Sequence, residues 1–196
     1  MDASGSAYVV STDAALNFPT TSDKIQGPQA PLALLLKSID GAVHFNPATI
    51  PASASAVQGI AIDPVNPQTV YVGTNQNGIW KSLDGGGSFA QTGLAGQYSR
   101  PFVDPNDHSV VYAATGNGLL KSVSGGAFSP TALTSNVVLG VAFDSSTNPS
   151  TVYAATGQYA VVPGSSGQVF KSTDGGVTFP AMPGVSVAAV NGVAFK

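Results

Sequence analysis

Apolar residues in this chain come in short runs separated by clusters of Asp, Asn, Pro and Gly. "GIAID" (59–63), "TVYVGT" (69–74) and "GIWKS" (78–82) are typical. Val, Ile, Tyr and Thr suit a pleated sheet, and the turn formers sit where hairpins need them. Each unit therefore reads as an apolar strand A, an Asp/Asn/Pro turn, a strand B, a Gly-rich turn, a lysine-bearing strand C, and a strand D such as "FAQTGL" (89–94).

The unit recurs. "LLKSIDGAVHF" begins at Leu35, "IWKSLDGGGSF" at Ile79, "LLKSVSGGAF" at Leu119 and "VFKSTDGGVTF" at Val169. Lys37, Lys81, Lys121 and Lys171 are spaced by 44, 40 and 50 residues. "VQGIAIDPVNPQTVYVGT" (57–74) likewise aligns with "YSRPFVDPNDHSVVYAAT" (98–115) and "VLGVAFDSSTNPSTVYAAT" (138–156). A β-type period of about 45 residues predicts an all-β propeller of about four blade-equivalents with four-stranded antiparallel blades. The expected boundaries are an incomplete first blade B–C–D at 1–56, blades at 57–97, 98–135 and 136–186, and a strand A at 187–196. That last strand completes the first blade. Closure by exchange of terminal strands follows, either within a self-closed monomer or between two chains in an eight-bladed ring. Ends that fall inside a unit suggest a piece of a larger propeller, natural or designed.

Composition narrows the partners. With 23 glycines, 14 prolines and 9% charged residues, the chain is too apolar for disorder and too rich in turn formers for a helical bundle. There is no cysteine, which removes disulfides and thiolate metal sites. A formal charge of −3 argues against nucleic acid or an anionic membrane, since both need clustered cations. Arg100 is the only arginine, and all ten acidic residues are aspartates. Acid–base chemistry must therefore use Asp, His, Tyr or Lys. No apolar run approaches the roughly 20 residues of a membrane helix. The start, "MDASGSAYVV", has neither the basic residues nor the apolar core of a signal peptide.

The motif "S-x-D-G-G-x-[ST]-F" resembles the Asp-box, or BNR repeat, of sialidases, sortilin-type receptors, xyloglucan-cleaving hydrolases and photosystem assembly factors. The stretch "DASGSAYVVSTDAALNFPTTSDKIQ" is similar to the bacterial SBBP-type propeller repeat. The resemblance implies a propeller and a secreted or periplasmic bacterial setting. It also implies a structural Asp-box role for Asp40, Asp84 and Asp174, with Ser124 as a neutral substitute in a turn one residue shorter. A short polar side chain there accepts hydrogen bonds from the backbone of its own turn. Sialidase chemistry would need an arginine triad and a Tyr/Glu nucleophile pair, which one arginine and no glutamate cannot supply.

Several residues depart from the repeat. Arg100 stands where strand A otherwise has Gly59, Gly140 and Gly192, which places a guanidinium near the propeller axis. It is a ligand-binding and catalytic candidate for anionic groups, against a structural arginine as the plainer reading. His108 with Asp104 and Asp107 could hold a divalent ion, or could form an ordinary polar turn. His44 takes the place of Ser88 and Thr178, and would join a metal site only where assembly brings it to its symmetry mate. Asp63, Asp104 and Asp144 end strands A and read as turn formers. The long B–C loops, about residues 12–31 and 157–167, carry Phe18 and Tyr159 as ligand-binding candidates. No cofactor other than a divalent metal ion is indicated.

These readings lead to a non-catalytic scaffold binding protein or glycan through its loop face. The alternative is a metal-assisted hydrolase of phosphoesters at the central channel or a subunit interface. A glycosidase mechanism with paired aspartates stays open, although no aspartate outside the turns stands out for it.

Overall fold

The computed structural model describes residues 6–11, 34–48, 50, 56–94, 98–134, 136–157, 167–185, 190 and 193–194. They form four antiparallel sheets in two compact units, Met1–Tyr98 and Ser99–Lys196.

The first unit holds two sheets. Strands β1 (Ala7–Ser11), β2 (Leu34–Ser38) and β3 (Asn46–Pro47) pair in that order. So do β4 (Val57–Ile62), β5 (Val70–Thr74), β6 (Ile79–Ser82) and β7 (Ala90–Gln91). Their apolar faces meet in a cluster of Leu35, Val57, Val70 and Val72, with Tyr8, Ile60, Ile62 and Phe89 packed against it. The aromatic that closes the glycine turn thus lies beneath the sheet, where it removes apolar area from water.

The second unit repeats the plan. Strands β8 (Ser99–Val103), β9 (Val110–Thr115), β10 (Gly118–Val123) and β11 (Ser129–Thr134) form one meander. The other joins β12 (Val137–Asp144), β13 (Thr151–Gly157) and β14 (Val169–Ser172). Tyr112, Leu119, Val138, Val152 and Ala154 are fully buried between them, and Phe179 joins the same core.

The first sheet has three strands. The last differs from the four-stranded expectation: its outer strand is reduced to a bridge between Phe170 and Ala181. Of the segment 187–196, Val190, Val193 and Ala194 are described and lie in no strand, and the Val190 amide donates to Thr156 O at 3.2 Å. The rest of that segment lies outside the described residues.

Register carries one detail that matters below. β4 and β12 each contain a bulge, between Val57 and Gly59 and between Val138 and Gly140, and β8 has none. Gly59 then faces Gly73, Gly140 faces Ala155 and Arg100 faces Ala114. Arg100 does occupy the glycine position. A bulge leaves the extra residue's backbone outside the ladder, and in β12 that residue is Leu139.

Candidate functional site

Three of the four glycine turns share one hydrogen-bond scheme. Ser82 Oγ donates to Asp84 Oδ1 at 2.7 Å and accepts from the Gly86 amide at 2.8 Å. The Ser88 amide reaches Asp84 Oδ1 at 2.9 Å and its hydroxyl reaches Oδ2 at 2.6 Å. Ser172, Asp174, Gly176 and Thr178 repeat this set. In the first turn His44 does the work of the hydroxyl, with Nδ1 2.5 Å from Asp40 Oδ2. Donors on both oxygens hold all three carboxyls well below the usual carboxylate range. The largest contribution comes from the His44 amide at Asp40, the Ser88 hydroxyl at Asp84 and the Thr178 hydroxyl at Asp174. A carboxylate so stabilised is a poor general acid, which needs a raised pKa. These aspartates fix turns.

The third turn departs from the expectation for Ser124. The Ser124 amide donates to Ser109 O as the Gly85 amide donates to Gln68 O, and its φ is 53°. Ser124 therefore stands in the place of Gly85, not of Asp84. Ser122 Oγ donates to Gly126 O instead. Deleting one residue shifts the backbone frame, so no carboxylate equivalent remains.

The repeated lysines find a role that no local motif announces. Lys37 Nζ lies 5.7 Å from the Tyr8 ring centroid, and both side chains donate to Gly85 O of the next sheet, at 2.5 and 3.0 Å. Lys121 and Tyr112 do the same to Gly175 O, at 2.7 and 2.9 Å. Each pair pins one sheet to its neighbour within its unit.

Arg100 is half-buried and Nη1 donates to Leu139 O at 3.0 Å, the carbonyl of the bulged residue in β12. The guanidinium thus serves at least one backbone acceptor that the ladder leaves out. Arg100→Gly restores the repeat but removes that donor. Its expected outcome is a folded protein less stable by about 1–3 kcal/mol, read from urea denaturation. An unchanged midpoint would show the guanidinium is dispensable to the fold.

The proposed ion ligands do not converge. Among the described residues no three His or Asp side chains gather where a metal ion could be held. His108 is exposed. Asp104 is 5% exposed, and its Oδ1 accepts from the Asn106 amide at 3.0 Å and Ser150 Oγ at 2.6 Å. Asp107 Oδ1 accepts from the Ser109 hydroxyl at 2.6 Å and amide at 3.1 Å, which lowers its pKa, the hydroxyl contributing most. Asp63 Oδ1 takes the Val65 and Asn66 amides, and Asp144 Oδ1 the Ser146 amide and hydroxyl. Each strand-end aspartate opens a turn. Phe18 and Tyr159 lie outside the described residues.

Between the two sheets of the second unit is a cleft of about 350 Å³ lined by Lys121, Val123, Ser129, Pro130, Thr131 and Gly176. It is large enough for a small ligand and offers two hydroxyls. Its lysine is already held by Gly175 O.

Comparison with known structures fixes the architecture. The GH74 xyloglucanase from Xanthomonas campestris superposes with a TM-score of 0.67 at 16% identity, over 93% of this chain and 29% of that one.

The fold is that of a β-propeller.

Among curated proteins, the chain is 29% identical to a xyloglucanase of Acetivibrio thermocellus, over 74% of this chain and 23% of that protein. It is 31% identical to a xyloglucanase of a Paenibacillus species, over 74% of this chain and 19% of that protein. The chain spans less than a quarter of the length of these relatives. No protein-family model matches it.

These relatives correct the functional expectation. They are named glycan hydrolases, which overturns the non-catalytic scaffold, and the phosphoester alternative belongs to a different class of hydrolase. The sequence signal was hard to read for a physical reason. Glycoside hydrolysis needs two carboxyls flanking one bond, and their spacing is set by tertiary structure, not by a local motif.

Proposed function

We propose that the chain is a glycoside-hydrolase-type propeller module, built of Asp-box repeats, that acts on a β-glucan of the xyloglucan kind. The observation supporting this is the 29–31% identity to named xyloglucanases over 74% of the chain. A pair of carboxyls is the chemical requirement, one to protonate the leaving oxygen and one to act as base or nucleophile. Both must be aspartates here. Asp40, Asp84 and Asp174 are held ionised by their turns, which makes them unsuited to the acid role. Asp63, Asp104, Asp107 and Asp144 are the described aspartates outside the glycine turns, and they are the ones to substitute first.

Native gels cast with xyloglucan, together with a reducing-end assay, test this reading. Retarded migration and release of reducing ends are expected from the folded chain. Loss of release in Asp63→Asn, Asp104→Asn, Asp107→Asn or Asp144→Asn would place the acid or base there. Release that survives all four would move it to Asp2, Asp13 or Asp23. Neither retardation nor release, with the fold verified by circular dichroism, would overturn the proposal.

A further inference from the structure

Among the described residues the lysine–tyrosine stack recurs four times, and in two of these both side chains donate to a glycine carbonyl of the next sheet. Lys81 lies 5.4 Å from the Tyr71 ring centroid, and Lys171 5.6 Å from that of Tyr153, matching the geometry of the two engaged pairs. Among the described residues Lys171 Nζ has the tyrosine ring as its partner and no carbonyl oxygen. An ammonium on an aromatic face keeps strong donors to spare, and in the engaged pairs these go to a glycine carbonyl.

The acceptor side shows the converse. In each engaged clasp the carbonyl belongs to the glycine that follows the turn aspartate, Gly85 after Asp84 and Gly175 after Asp174. The first sheet has the same group in Gly41 after Asp40, with the same backbone conformation (φ 74°, against 67° and 68°). Gly85 is crowded: a Cβ there would lie 3.1 Å from Lys37 Nζ and 3.0 Å from Gln68 Oε1. At Gly41 a Cβ would meet nothing within 4 Å, and the residue is exposed. Ala42 takes the place of Gly86, where a Cβ would rest 3.5 Å from Tyr8 Cε1, an ordinary contact. At Gly176 the same Cβ would lie 2.8 Å from the Tyr112 hydroxyl, so an alanine is compatible with a tyrosine seated as Tyr8 is and not with one seated as Tyr112 is.

The geometry points to a head-to-tail docking surface: Lys171 on β14 receives the Gly41 carbonyl of a second copy of this chain. One chain carries both halves of a contact whose complementarity it demonstrates twice internally. Such a contact joins different patches of the two copies, so it closes into a ring or continues as a filament. Removing an ammonium donor from a carbonyl costs enough to weaken association at least about tenfold.

Sedimentation velocity across a range of micromolar concentrations tests this, with Lys171→Met and Gly41→Asn. Asparagine tolerates positive φ and so preserves the turn while placing a side chain on its open face. The wild type is expected to associate, and each variant to lose association at least about tenfold while keeping its circular dichroism spectrum. Mixing the two variants should recover one intact contact per pair, which a purely structural defect would not allow. A wild type that stays monomeric throughout, including by engaging its own Gly41, would overturn the inference. Association untouched by both variants would overturn it as well.

Discussion

Gly78→Ala is expected to destabilise the first unit by about 3 kcal/mol or more. Gly78 has a φ of 71°, and a Cβ built on it would lie 1.7 Å from the carbonyl oxygen of Leu94. The obstacle is backbone, held by its own hydrogen bonds. The Thr92 amide and hydroxyl donate to Ile79 O at 3.0 and 2.8 Å, and Gln91 Nε2 donates to Asn77 O at 3.0 Å. Relief would require the outer strand to move away from β6. Gly93→Ala separates the two contributions, because Gly93 also has a positive φ (81°) but open space around it. It should cost only the conformational part, about 1–2 kcal/mol. Trp80 is the chain's only tryptophan and lies two residues from Gly78, so the urea midpoint of its fluorescence is the measurement. Equal shifts for the two variants would show that the outer strand yields freely.

The same position recurs in the other sheets. Gly78 O accepts from the Thr74 amide, and Gly118 O from the Thr115 hydroxyl; the corresponding acceptor in the last sheet is Gln168 O, bonded by Thr156. At Gly118 a Cβ would again meet a strand carbonyl, Leu133 O, at 2.5 Å. The last sheet has Gln168 there and the first sheet Leu34, and the first keeps its outer strand β3, so glycine at this position permits the close approach without being required for the strand.

Tyr112→Ala should cost the second unit about 3–5 kcal/mol. Tyr112 is completely buried, packs against Phe143 with ring centroids 5.7 Å apart, and sends its hydroxyl to Gly175 O. Truncation removes core contacts and the phenol of the clasp together. Tyr112→Phe keeps the packing and should cost about 1 kcal/mol. The pair therefore divides the loss between core and clasp. Burial, with Asp104 and Asp174 adding to it, pushes the phenol well above its ordinary value. The fold thus favours the neutral phenol, whose contribution is complete below the unfolded pKa of about 10 and declines as pH rises beyond it. Urea midpoints by circular dichroism between pH 8 and 11 should fall for the wild type above about pH 10. Tyr112→Phe should flatten the part of that fall due to this phenol, and an identical fall would show that Tyr112 carries none of it.

Features set within a few residues were legible in the sequence. The strand pattern, the turn aspartates at the ends of strands A, and the Ser-x-Asp-Gly turns depend on side chains bonding to backbone two to four positions away. The register placed Arg100 at the glycine position for the same reason, since the repeat aligns residue by residue. Ser124 was misread because aligning letters hides a one-residue shift in backbone frame. The rest depended on partners far along the chain. Arg100 meets a carbonyl exposed by a bulge 39 residues later, and Lys37 and Lys121 find acceptors 48 and 54 residues away. A repeated lysine announces a shared role, but the acceptor is a backbone oxygen, which every residue possesses and no sequence marks. Only the packing of one sheet on the next selects which oxygen it is.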